Sequence, residues 1–323
     1  MPRIPYHELR ATESTEGLIL HTPWVELTVD AALPRSASDW NRLLTALAEY
    51  PISQTKPRRL SRDRRESAAA LDLKLLRMPL PRRWRWEVAE VLDHARIGRD
   101  DYDSLAAYTA IRRLRLRQEI QSGARLAMLQ HLETAARNDE PLLFRAVATL
   151  ARQTLHVTQL CERSVMPARR LFPPASIDAF IASERGHDRL LQKTLDALGM
   201  DARLLPLFEE TKRCMRILRF VATRSRFAFA NVVASLEGVA AEGKDPVGAV
   251  LERSSRPKAA EWLHRHYRIN AHERHGDFGE QLAETMGRID ADSIVAAMRL
   301  TELNEIAQDA IAARVGNIAR GKE

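Results

Sequence analysis

WLHRHYRINAHERHGDFGEQLAE, residues 262–284, is the run on which the reading of this chain turns. Four of the ten histidines, His264, His266, His272 and His275, crowd into it. At about 100° per residue a helix puts His272 and His275 on one face, with Arg268 and His264 extending that face toward the N-terminus. Such a face can hold ligands. A helix rich in His and Glu is also commonly just solvated, and HxxH alone is weakly specific for metal. The surrounding sequence decides between the two.

Working outward, the apolar residues keep helical spacing over nearly all of the chain beyond residue 65. The pattern predicts helices over Ser67–Leu76, Trp84–Ala95, and Asp103 to about Arg137 with a break near Ser122–Gly123. A more regular series follows. Pro141–Arg170 is ended by Pro173–Pro174, Ser176–Leu198 by Gly199, and Leu204–Glu242 by Gly243. A short helix around Asp245–Glu252 leads into Pro257–Met286, and a last helix runs from Asp290 to about Ala319. Ser176 is a natural N-cap, and Pro257 suits a first helical turn. No strand series or internal repeat interrupts this. The expected fold class is all-α, a bundle of long antiparallel helices over 66–323 with an N-terminal extension over 1–65.

That extension reads differently. Prolines at 2, 5, 23 and 34 break it up, and LILHTPWVELTVD carries short alternating segments that suit an arm or hairpin, although Pro23 counts against them. Residues 39–50, DWNRLLTALAEY, read as a helix closed by Pro51, and the polar, basic run from Ser53 to Arg65 as a linker. The extension is expected to pack on the bundle or on a second subunit of a homodimer.

With 323 residues, 45% of them hydrophobic, the chain can bury a sizeable core. It has no apolar run of the ~20 residues a membrane span needs, and its N-terminus lacks the layout of a signal peptide. The expectation is a soluble cytoplasmic protein. Two cysteines, Cys161 and Cys214, supply neither a disulfide framework nor a Cys-rich zinc site, and read as buried thiols. A net charge of +7, with Arg-rich runs at 56–65, 81–86 and 111–117, raises nucleic acid as a partner. Such runs are more often solvated faces or subunit contacts, so nucleic acid is not the expected partner.

Three of the long helices carry polar groups that an apolar core would exclude. ASERGHDRLL sets Glu184 and His187 at i, i+3, and FAFANVVASLEGVAAEG sets a solitary Glu237 among small and apolar residues. A carboxylate drawn into such surroundings must be paired, protonated or bound to a cation. His272 and His275 follow on the next helix. Taken singly, ExxH is an ordinary surface pair and Glu237 could line an exposed stripe. Taken together, in this order, they follow the logic of a metal site in a bundle core, where Glu-x-x-His and single Glu residues project inward to hold iron or manganese.

On these residues the stretch 141–287 resembles the haem-oxygenase-like diiron oxidases and oxygenases, fold relatives of thiaminase II and the pyrroloquinoline-quinone synthases. In that family an ExxH, a later Glu and a His-x3-Asp/Glu-x2-His assemble a non-haem iron site. The resemblance lays Glu184 and His187 on the first motif, Glu237 on the second and His275 on the last histidine. It also suggests Glu162, on the preceding helix, as a further carboxylate facing Glu184. The chain departs from the pattern where it reads Arg268-x3-His272-x2-His275. His272 replaces a carboxylate as ligand there, or Glu273 takes part through a local distortion, or one iron is lost. Arg268 would repel a second cation and could instead orient a substrate carboxylate.

The resemblance therefore implies an oxidoreductase that binds one or two non-haem irons, manganese being an alternative, and acts with dioxygen on a small amine, amino acid or carboxylic acid. Two other classes stay open. One is a metal-free enzyme on the same fold, which would need a nucleophile that neither cysteine signals. The other is an Arg-rich helical binding module for nucleic acid or a protein.

Overall fold

The computed structural model describes residues 10–14, 17–21, 25–29, 55–57, 84–237, 244–273 and 275–323. The helices expected over 39–50 and 67–76, and the end of the one expected to reach Glu242, lie outside them. In the N-terminal part four short strands form an antiparallel sheet in chain order. They are β1 (Arg10–Ser14), β2 (Gly17–His21), β3 (Val25–Val29) and β4 (Thr55–Pro57). The hairpin read in LILHTPWVELTVD is β2–β3, in register Leu18 to Val29 and Leu20 to Leu27, and Pro23 falls between the strands. Thr55–Pro57, expected to be linker, instead pairs with Val25–Leu27.

From Trp84 on the described chain is almost wholly helical, as the apolar spacing requires. The helices are α1 (Trp84–Ala95), α2 (Ser104–Ser122), α3 (Ala124–Asn138), α4 (Glu140–Val165), α5 (Pro174–Glu184), α6 (His187–Ala197), α7 (Glu209–Val221), α8 (Arg226–Glu237), α9 (Pro246–Leu251), α10 (Pro257–His272), α11 (His275–Glu284) and α12 (Ala291–Ala319). A two-residue pair, β5 (Tyr102–Asp103) with β6 (Arg288–Ile289), ties the start of α2 to the start of α12. Several ends carry the expected chemistry. Asp103, Asp139, Asp245 and Asp290 each accept a hydrogen bond from the first turn they cap. Gly123 turns α2 into α3 at φ 60°, a conformation that suits glycine.

Three segments expected as single helices are each two. Ser176–Leu198 begins earlier, with Pro174 in its first turn, and breaks at Arg185–Gly186, where Gly186 takes φ 96°. The segment from Leu204 breaks after Val221, and Ser225 caps the restart by accepting from Ala228 N at 3.2 Å. Pro257–Met286 stops at His272 and resumes at His275.

The core explains two of these breaks. Buried apolar side chains form two clusters. One gathers α1, α2, α5, α8, α11 and the first half of α12, and the other gathers α3, the first part of α4, α6, α9, α10 and the end of α12. Helices α4 and α12 run through both. Helix α5 belongs to the first cluster and α6 to the second, while α10 belongs to the second and α11 to the first. The chain therefore crosses between the two cores at Arg185–Gly186 and again after His272. At these crossings the helix axis breaks, because one straight helix cannot keep its apolar stripe on both.

Candidate metal centre

Those two crossings meet. Glu184 closes α5, His187 opens α6, His275 opens α11, and Glu237 ends the described part of α8. Helix α8 is held in place by α12, where Asn304 donates to Ser235 Oγ at 2.6 Å and Gln308 to Ser235 O at 2.9 Å. Helix α11 lies unusually close to α8. A Cβ on Gly279 would stand 2.5 Å from Ala230 O and 2.8 Å from Ala234 Cβ, so only glycine lets this contact form. Gly279 is one turn from His275, and its bareness is what brings His275 to Glu237.

The resulting geometry is tight. His275 Nδ1 is 2.8 Å from Glu184 Oε1 and 3.4 Å from Glu237 Oε2. His187 Nδ1 is 3.7 Å from Glu184 Oε2. One ligand atom each from Glu184, His187 and His275 fall within 4.8 Å of one another, the separation expected of groups sharing one cation. His187 and His275 are each 2% exposed, and their rings stack at 5.4 Å. Phe180 covers the ring of His275 at 5.6 Å and itself stacks on Phe278, forming an apolar wall.

The two contacts of His275 Nδ1 are charged pairs once the ring is protonated. Glu184 Oε1, His187 Nε2 and both ring nitrogens of His275 are buried with no hydrogen-bond partner. With a neutral ring the 2.8 Å contact of Glu184 Oε1 with His275 Nδ1 lacks hydrogen-bond geometry, and a charge on the ring turns it into an ion pair. Buried polar atoms left in this way are costly, and several in one place call for an unmet ligand. Carboxylate oxygen and imidazole nitrogen are the donor set that suits iron, manganese or zinc.

The electrostatics agree with a site built for positive charge. Burial works to lower the pKa of His275, yet Glu184 and Glu237 together lift it to about 9. Glu237 is raised by burial and by the nearby Glu184 carboxylate, against the pull of His275. His187 is lowered, burial outweighing Glu184. Two carboxylates therefore converge on a place where, without a cation, a proton on His275 must stand in.

His266 joins this group, although the sequence reading gave it no role. Its ring meets that of His187 edge-on at 5.1 Å, and its Nε2 is buried without a partner. Burial and the His187 ring depress its pKa to about 4, which keeps the imidazole neutral with a free lone pair. A signal was present in the sequence. Ala259, Leu263, His266 and Asn270 share one stripe of α10, which Ala259 and Leu263 fix as the buried one.

Three expected residues stand elsewhere. Arg268 and His272 lie on the opposite side of α10 and are exposed. His272 does not share a face with His275, because the helix ends between them. Glu162 is outside the cluster, 52% exposed and 3.9 Å from Arg185, and its neighbour Cys161 is the buried residue that feels Glu184 and Glu237. Glu273 is exposed, though its charge reaches His187. Cys161 and Cys214 are buried free thiols, and burial pushes both up. No helix of the described residues is long and apolar enough to cross a membrane.

Comparison of the chain with protein-family models, with curated proteins and with solved structures returns no match.

Proposed function

We propose that this chain is a non-haem iron oxidoreductase that acts with dioxygen on a small organic substrate. The observation that carries the reading is the convergence of buried ligand atoms of Glu184, His187 and His275 within 4.8 Å of one another, with Glu237 beside His275. Glu184, Glu237, His187 and His275 are assigned as the iron ligands, with His266 as a further imidazole. Two carboxylates neutralise one divalent cation, so one iron per chain is the expected load.

Ferrous iron, when bound, supplies the electrons that reduce dioxygen, which organic side chains cannot do. The protein's part is separable from that. Glu184 and Glu237 provide the negative charge that holds the cation, and neutral His187 and His266 offer lone pairs without adding charge. Phe180 and Phe278 exclude water from one side of the centre, which strengthens each electrostatic contact inside it. Arg268 is withdrawn as the substrate-orienting cation, since it faces away from the cluster.

The test is element analysis of protein produced with iron supplementation and again after chelation. The expected result is about one iron per chain in the wild type and almost none in His275→Ala or Glu237→Ala, with oxygen uptake following iron content. A wild type that holds no metal, or variants that keep it, would overturn the reading.

A further inference from the structure

A second feature lies on another face, between α4 and α7. Arg152, His156, Leu160 and Arg163 follow one another at helical spacing along α4, and Lys212, Met215, Arg216 and Arg219 do so along α7. Between the two stripes is a cleft of about 310 Å³, lined by His156, Arg163, Lys212, Arg216 and Arg219 over a floor of Leu160, Ser164 and Met215. From residue 152 to residue 163 the α4 stripe runs about 16 Å, at ~1.5 Å per residue.

The charge in this cleft is almost all of one sign. Glu209 is the acid that answers it, 2.8 Å from Lys212 and 3.5 Å from Arg216. Among the described residues Arg163 and Arg219 have no carboxylate partner. Burial, then Arg152 and Lys212, drive the pKa of His156 down, an independent sign that the cleft is under positive potential. Two packed helices gain nothing by facing like charges across a seam, and the arrangement costs stability unless an anion lies between them. Guanidinium groups in a row suit phosphate oxygens, each able to take paired N–H donors. No Phe, Tyr or Trp lines the cleft, so recognition falls on phosphates and not on stacked bases.

We propose that the cleft between α4 and α7 binds a ligand carrying a row of phosphate groups, gripped by Arg163, Lys212, Arg216 and Arg219. Three ligands share this chemistry: an inorganic polyphosphate, a nucleoside triphosphate and a single-stranded oligonucleotide.

The experiment measures binding of full-length protein to fluorescein-labelled oligothymidylate by polarisation, with tripolyphosphate and a nucleoside triphosphate as competitors, over a series of salt concentrations. Arg163→Glu/Arg219→Glu is compared with Arg137→Glu/Arg189→Glu, a pair of the same charge change at exposed positions on other helices. Arg163→Gln/Arg219→Gln provides a milder version, and circular dichroism checks that each folds. The expected result is binding that weakens with salt and falls at least tenfold in the cleft variants, but less than about twofold in the control. The competitor that displaces the probe at lowest concentration identifies the phosphate source. Equal losses in cleft and control variants would reduce the effect to net charge and overturn the proposal, as would failure of all three ligands to bind. Iron content is expected to be unchanged in every variant, so this result stands apart from that of the metal centre.

Discussion

His266 and His272 sit on one helix and face opposite ways, and that difference decides which of them can touch a metal. His266 continues the buried stripe of Ala259 and Leu263, and His272 is exposed. His266→Ala is expected to lower iron affinity by at least about tenfold, the scale seen when groups around a metal are removed, while His272→Ala leaves it unchanged. Iron titration of the stripped proteins measures both, and equal effects would remove His266 from the site. Gly279 acts one step further out. An added methyl at this position collides with the Ala230 carbonyl, which belongs to backbone and cannot swing away. Gly279→Ala should cost about 1–3 kcal/mol through overpacking and move His275 off Glu237. Calorimetry would show the lowered Tm and element analysis the lost iron. A variant with wild-type Tm and iron would show that α8 and α11 have slack at this contact.

At the scale of elements, the centre is made where helices stop. The ExxH spacing suggests two side chains one turn apart on a single helix, yet Glu184 ends α5 and His187 begins α6. Gly186 makes this turn at φ 96°, a conformation that costs an L side chain about 1–2 kcal/mol. Gly186→Ala should therefore lower Tm by a few degrees and weaken iron binding, since strain in the turn between α5 and α6 shifts His187 relative to His275. Unchanged iron affinity would mean that the turn is not what aims the two ligands. The all-α class, α1, the α2–α3 break at Gly123 and the long final helix were legible because apolar spacing and caps act locally. Glu184, His187, Glu237 and His275 were legible as polar residues in apolar stretches. The breaks at 222–225 and after His272 were not, because neither carries glycine or proline. The second of these arises from a crossing between two cores that exists only once the chain has folded. The same crossing hid His266 and leaves Arg268 and His272 exposed outside the cluster, as Glu162 is on α4.

For the whole molecule the proposed metal and the proton would compete for one place, and the sign of the pH dependence follows. In the metal-free fold His275 holds its proton to about pH 9, against 6.5 as its ordinary value. Above 6.5 the unfolded chain has lost a proton that the folded chain still keeps. The stability gained from this pairing is therefore fully present below 6.5 and lost as pH rises toward 9. Glu237, raised by burial, carries the same sign, its contribution being present below its ordinary 4.5 and declining as pH rises above it. On the acid side the sign reverses. His266 resists protonation down to about 4 and His187 is also lowered, so the unfolded chain takes up protons that the fold refuses, and stability falls as pH drops from 6.5 toward 4. Chelator-stripped protein should thus have its highest Tm near pH 6.5 and lose stability on both sides. Iron at the proposed centre would replace the proton on His275, and the loaded protein should keep its Tm between pH 6.5 and 9 while its iron affinity rises over that interval as the competing proton leaves. His275→Gln, stripped of metal, should lose the alkaline decline and keep the acid one. A stripped wild type whose Tm stays constant from pH 6.5 to 9 would show that Glu184 and Glu237 do not hold a proton on His275, and with it the charge balance that assigns a single iron to this centre would fail.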